Sequence, residues 1–341
     1  MKIFILLSGE HIELSEAELY SILKAENIKF NILARLPQVI GLELNREDID
    51  KIIVRSSMCK LIGELLLLCD AEKNVIIDSL SKTSINLKSR TFSVRIDRVR
   101  GCCKNISSYE LEALIGSIIK EKISGSVDLE TPDTRFYGVL TGGKFVFGVV
   151  ISQIKRSRFN ERRPRKRPFF HPGTVEPLFA RLLVNLSEVP SGKMLLDPFC
   201  GAGGILIEAG LINCRVIGSD IDPAMVSGTA INLKYYNIDY DLVVADARYL
   251  PFRNIKYVST DPPYGISSTT MGENVKNLVE AFLRNIYQCL DREAKICISV
   301  PQKLNIKIES GYKLMNEYFM HVHKSLTRRI ILLSKENNVK T

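Results

Sequence analysis

The sequence predicts an α/β chain in which a mostly parallel sheet, ending in an antiparallel C-terminal hairpin, follows an α+β N-terminal region. Three observations predict it. After residue 174, strand-like runs at 194–197, 216–220, 242–246, 257–261 and 295–300 alternate with helical periodicity, the pattern of parallel βαβ units. Two β-rich runs, 318–326 and 329–334, then follow each other with no helix between them, which requires antiparallel pairing. Upstream the elements mix less regularly, with period-2 alternation at 92–96 and a hairpin turn at Gly142-Gly143. A chain of 341 residues, 45% apolar and 25% charged, has room for about two domains and is neither a disordered tail nor a disulfide-stapled miniprotein.

Residues 1–48 read as a small α+β lead-in. Ile3 to Leu7 are the only consecutive apolar residues before acidic sequence arrives, too few for a signal-peptide core, and form a first strand. Ser15-Glu-Ala-Glu18 then opens a helix, its hydroxyl capping the first turn and its acids favouring the helix dipole. No apolar run approaches the roughly 18 to 20 residues that span a bilayer, so no membrane partner is expected. Residues 49–153 form a second α+β unit. Eight cysteines without a Cys-x-x-Cys pair, and without zinc-ligand spacing to the four histidines, indicate a reducing, cytoplasmic setting and no metal.

Composition changes at 154–173. Between residues 155 and 168 eight basic side chains face one acid, which is +7 of the formal charge of +9. A solvated linker is the plain reading of such a run. The alternative is a phosphate-binding segment in which Arg156, Arg158, Arg162, Arg163, Arg165, Lys166 and Arg167 contact RNA, since the planar guanidinium fork suits phosphate. Residues 174–341 make the last domain, which opens with an amphipathic helix capped by Thr174 and carrying Pro177 in its first turn.

The chemistry lies in this last domain. Asp197-Pro-Phe-Cys-Gly-Ala-Gly-Gly204 joins a strand to a helix through a glycine loop, where Gly201 and Gly203 let backbone approach a ligand. Asp220 ends the next strand, 19 residues after Gly201, where a carboxylate can accept both hydroxyls of a ribose. A nicotinamide dinucleotide would want Gly-x-Gly-x-x-Gly, but position 206 is Leu and Asp197 places negative charge where pyrophosphate would lie. S-adenosylmethionine, with a carboxylate, a sulfonium cation and an adenosine, fits the acid and the loop together. At the end of the fourth strand stands Asp261-Pro-Pro-Tyr-Gly265. Ligands of open α/β sheets bind at the carboxyl ends of strands, where Asp197, Asp220, Asp246 and Asp261 converge. Asp261 can accept a hydrogen bond from an exocyclic amine while a carbonyl in the Pro262-Pro263 segment takes the other proton, and Tyr264 offers a stacking face for a flipped base.

Asp197-Pro-Phe-Cys-Gly-Ala-Gly-Gly, Gly218-Ser-Asp-Ile-Asp, Ala245-Asp-Ala-Arg and Asp261-Pro-Pro-Tyr-Gly, in this order, resemble the motifs of class I amino-methyltransferases that act on guanosine N2. Phe92-Ser-Val-Arg, Tyr109-Glu-Leu-Glu-Ala-Leu-Ile-Gly116 and Val127-Asp-Leu-Glu-Thr-Pro132 resemble a THUMP domain, an RNA-binding module. Arg167-Pro-Phe-Phe-His-Pro-Gly173 and the helix after it resemble the entry to the catalytic domain of archaeal tRNA guanosine-10 N2-methyltransferases. The resemblance covers the chain from about residue 50. It implies a Rossmann-like methyltransferase domain behind a THUMP-containing region, S-adenosylmethionine contacts from Asp197, Phe199, Gly201, Gly203, Asp220, Asp246 and Ala247, and an amine grip from Asp261, Pro262, Pro263 and Tyr264. It also implies tRNA as partner, one or two methyls added at position 10, and a THUMP grip on the acceptor 3′ end. Methylation at another tRNA position such as 6, adenine-N6 methylation of DNA, and an RNA-binding protein with a vestigial enzyme domain are the alternatives. A small activating subunit or a monomer both remain open.

His171, in a His-Pro-Gly turn, reads as structural; His321 and His323 lack acidic or thiol neighbours; Cys102, Cys103 and Cys200 read as small turn residues. Asp222 reads as the cap of the next helix.

Overall fold

The computed structural model describes residues 1–85, 90–264 and 275–336 and contains two compact units. The first comprises Met1–Glu16, Ile28–Ile53 and Met58–Lys155; the second comprises Ala17–Asn27, Val54–Ser57 and Arg156–Thr341.

The first unit is built on strands β1 (Lys2–Leu7), β2 (Phe30–Leu36), β3 (Val39–Leu44), β4 (Cys59–Asp70), β5 (Thr91–Arg98), β6 (Ser126–Val127), β7 (Thr134–Thr141) and β8 (Lys144–Gln153). They form one eight-stranded sheet in the order β2-β3-β1-β4-β8-β7-β5-β6. The lead-in and the following region therefore share a sheet, because β4 is long enough to pair with β1 through its first half and with β8 along its length. On β8 a Cβ at position 148 would lie 1.7 Å from the Glu64 carbonyl oxygen, so glycine is needed where the two strands close up. Phe92, Phe136, Phe145 and Phe147 are fully buried and meet ring on ring at 5.7–6.1 Å, a core sealed by helices α3 (Lys73–Lys82) and α4 (Ser108–Ile123). Helix α1 (Ile12–Ala25) starts before Ser15, which sits inside it and turns its hydroxyl back to the His11 carbonyl at 2.8 Å; it does not cap the helix. Helix α2 is Ile49–Arg55.

The second unit carries α5 (Ser157–Asn160), α6 (Pro177–Leu186), β9 (Met194–Asp197), α7 (Gly204–Gly210), β10 (Arg215–Asp220), α8 (Pro223–Tyr235), β11 (Tyr240–Val244), β12 (Ile255–Thr260), α9 (Val275–Ile286), β13 (Leu290–Pro301), β14 (Tyr312–His323) and β15 (Leu326–Lys335). Its seven-stranded sheet runs β11-β10-β9-β12-β13-β15-β14, parallel from β11 to β13, with β15 antiparallel to both β13 and β14. This is the α/β sheet with a terminal hairpin that the sequence predicts. Strand β11 ends at Val244, so Asp246 stands in the loop two residues beyond it. Helix α6 has Glu176 at its N-cap position, without a side-chain cap bond, and Pro177 at its first position, while the Thr174 hydroxyl bonds to the His171 carbonyl at 2.7 Å, so Thr174 holds a turn and not the helix. No helix among the described residues is long and apolar enough to cross a membrane.

The basic run is folded into this unit instead of forming an extended linker. Residues Ser157–Asn160 make a helical turn that buries Phe159, and Pro164–Lys166 make a 3-10 turn. Arg162 and Arg181 both pair with the fully buried Glu208, at 2.7 and 2.9 Å. Nearby, the buried Glu18 carboxylate accepts from Ser56 Oγ at 2.9 Å, from Ser57 N and Oγ, and from Asn185 Nδ2 at 2.8 Å, so residues distant in sequence are joined within the second unit.

Candidate active site

Three strand ends build the site. Strand β9 delivers Asp197, 1% exposed, whose Oδ1 accepts from Phe199 N at 3.2 Å and from Thr260 Oγ1 at 2.7 Å. Burial pushes its carboxyl up to about 7, and the neighbouring Asp220 and Asp261 add to the rise. The chain then turns through Gly201 at φ +49° and Gly203 at φ +81°. A Cβ at 203 would meet Thr229 at 2.9 Å, so both backbone conformation and space ask for glycine there. Asp220 at the end of β10 clamps this loop, accepting Gly201 N at 2.9 Å on one oxygen and Asp222 N at 3.0 Å on the other. Thr229 on α8 secures the other side through a 2.6 Å bond to the Gly201 carbonyl. Asp222 caps α8 through Ala224 N at 2.8 Å, in agreement with its sequence reading.

A small pocket of about 60 Å³ opens at these strand ends, with Asp197, Phe199, Gly201 and Asp261 in its lining together with His171, Thr174 and Val175. Gly203 and Asp220 stand behind that lining and shape the loop. Asp246 is engaged by its own neighbour, with Arg248 Nη2 2.6 Å from the carboxylate, and this holds its carboxyl below the usual range. Ala247 packs into the hydrophobic core under the sheet with Val258 and Phe282. Phe199 meets Phe282 edge to face at 5.3 Å, which anchors the loop to α9.

Asp261 follows β12 directly. Its carboxyl is raised by burial, against which the Arg328 charge and hydrogen bonds from Tyr264 and Ser299 act. Tyr264 donates its hydroxyl proton to Asp261 Oδ1, lies 3.0 Å from Ser299 Oγ and accepts from Arg328 Nε at 3.1 Å. Pro262 is buried and Pro263 half-buried between them. Gly265, the last residue of the motif, lies outside the described residues. Sequence reasoning missed four contributors here. Thr260 was hidden as an ordinary strand residue, and Ser299 and Arg328 lie on the antiparallel strands, where no motif flags them. His171, read as structural, lines the pocket; its place just ahead of the glycine-loop domain was the available signal.

The basic residues part company. Arg167 is 5% exposed, its Nε bonded to the Arg162 carbonyl, so it is a buried side chain and not a surface cation. Arg162 is held by Glu208, and Arg158 donates to the Ser56 carbonyl; both serve the fold. Arg156 is half-buried. Arg165 and Lys166 are exposed, and Arg163 reaches Glu176 only at 3.9 Å with both side chains open to solvent.

Comparison with known proteins follows the same outline. The family model UPF0020, an RMKL-like methyltransferase domain, matches residues 164–330. A protein of Methanothermobacter thermautotrophicus named tRNA (guanine(10)-N2)-dimethyltransferase is 38% identical over 98% of this chain and 100% of its own length. One of Methanocaldococcus jannaschii with the same name is 33% identical over 96% of this chain and 98% of its own. Among solved structures, TrmN from Thermus thermophilus superposes with a TM-score of 0.60 at 19% identity, covering 98% of this chain and 100% of that one, a likeness of fold.

Proposed function

The chain belongs to the tRNA (guanine(10)-N2)-dimethyltransferase family, and from that premise we propose that it transfers methyl groups from S-adenosylmethionine to the exocyclic N2 amine of guanosine 10 in tRNA. The observation that carries the reading is the meeting, in one pocket, of the carboxylate that follows β12 with the acid and glycine loop at the end of β9.

The pocket suits the cofactor by its donor set. A left-handed glycine loop exposes backbone to a carboxylate, and Asp197 offers negative charge to a cation. Bound there, S-adenosylmethionine supplies an electrophilic methyl group. Asp261 accepts one amine proton as a hydrogen bond, which turns the nitrogen lone pair out of conjugation with the ring. Its raised carboxyl suits it to take the proton that the amine sheds afterwards. Tyr264 provides an aromatic face for the extruded base. Arg163, Arg165 and Lys166 supply phosphate contacts, and the THUMP-like first unit grips the RNA.

The test is to incubate the protein with an unmodified tRNA transcript and labelled S-adenosylmethionine and to map methylated nucleosides by mass spectrometry. N2-methylguanosine or its dimethyl form at position 10 is expected. Methyl transfer to duplex DNA, or to another tRNA position, would replace the assignment.

A further inference from the structure

Tyr264, Ser299 and Arg328 gather around Asp261 from three separate elements: the turn after β12, strand β13 and strand β15. Ser299 is fully buried, and Arg328 pairs in register with Pro301 two residues further along β13, so the antiparallel register of β15 on β13 brings both beside the turn. The Arg328 guanidinium centre lies 4.1 Å from the Phe179 ring and 5.9 Å from the Tyr264 ring, braced on one side by α6. Its Nε donates to the Tyr264 oxygen at 3.1 Å. With that lone pair occupied, the phenol proton is free to point at Asp261 Oδ1, which accepts it. Asp261 is the carboxylate to which the target amine donates in the function proposed above.

We propose that Arg328 is a positioning residue: it seats the Tyr264 hydroxyl on Asp261 in place of the amine, and the entering base displaces the hydroxyl while the ring remains to stack. The tyrosine thereby keeps the half-buried Asp261 carboxylate partnered until substrate arrives, at the cost of one hydrogen bond exchanged for another. The inference rests on the reading of Asp261 as amine acceptor and deepens it.

The test is a double-mutant cycle on the full chain with an unmodified tRNA transcript, using Arg328→Gln, Tyr264→Phe and the two together. Arg328→Gln is expected to lower kcat/KM for tRNA roughly tenfold while the calorimetric Kd for S-adenosylmethionine changes less than about twofold. The double variant is expected to be no slower than Tyr264→Phe alone, because Arg328 acts through the hydroxyl that this variant lacks. Arg328→Lys, which keeps a cation over Phe179, should recover part of the rate and runs the same cycle if the glutamine variant does not fold. Losses that multiply, or wild-type rates for Arg328→Gln, overturn the proposal. Asp261→Asn distinguishes the underlying reading: transfer retained in that variant would overturn the amine-acceptor role whatever the cycle gives.

Discussion

The basic run at 155–168 and the acidic strand ends at 197–261 both stand out in the sequence by charge, yet they differ in what the charge is used for. In the first, three of the eight basic side chains are drawn into the fold: Arg162 pairs with Glu208, Arg158 binds a carbonyl and Arg167 is buried. In the second, Asp197 is buried and Asp261 half-buried beside a pocket, neither in a direct ion pair among the described residues, and desolvation raises both carboxyls. A tally of charges counts residues, whereas function depends on which charges the fold leaves unspent. Asp246, in the loop after β11, does have an ion-pair partner in Arg248, and its carboxyl lies below its usual range.

The comparison can be broken most forcefully at Glu208. Glu208→Gln leaves the buried Arg181 and the half-buried Arg162 without this counter-charge and should cost about 3–5 kcal/mol of stability, read by chemical denaturation. A loss under 1 kcal/mol would show that the basic run is not structural. Asp261→Ala should lower kcat by at least roughly a hundredfold with little change in tRNA affinity, since the carboxylate acts mainly on the reacting amine. An equal loss of tRNA binding would move Asp261 from chemistry to docking. Replacing Arg163, Arg165 and Lys166 together by Gln should weaken tRNA binding and reduce the slope of log K against log salt by roughly two, whereas Arg162→Gln should lower the melting temperature and leave the slope alone. The reverse pattern would restore the whole run as an RNA contact.

The finest test is of proton linkage at Asp197. Its folded carboxyl, near 7, lies above the unfolded value near 4, so the stability it contributes is present below pH 4 and is lost as pH rises towards 7. A cation seated beside it favours the ionised form. Binding of S-adenosylmethionine at pH 6 should therefore release up to one proton and tighten as pH rises to 8, measured by calorimetry in buffers of different ionisation heat. Absence of proton release would mean that Asp197 is already ionised in the free protein.

Much of the second unit was legible in the sequence because parallel βαβ units advertise themselves. From β9 to β12 each strand is short, the turns after β9, β10, β11 and β12 carry glycine or an acid, and Asp197, Asp220 and Asp261 fall where strands stop. Asp222 could be read as a cap because its interaction is local. Thr174 misled for the complementary reason: a hydroxyl three residues before Pro177 suits either a cap or a turn, and the contact with the His171 carbonyl decided it. The N-terminal boundary could not be read, since β1 and β4 are joined by hydrogen bonds between residues about 60 apart, beyond any local periodicity.

The sequence by itself determined the order of the parallel strands' motifs and the kinds of side chain offered at their ends, because backbone conformation and residue chemistry are local properties. Only the tertiary structure decided which charges are available. Burial of Glu208 turns two arginines inward, and the antiparallel register of β15 on β13 carries Arg328 and Ser299 to the Tyr264 hydroxyl. Desolvation and long-range pairing depend on what surrounds a residue in space, and neither is written at the residue itself.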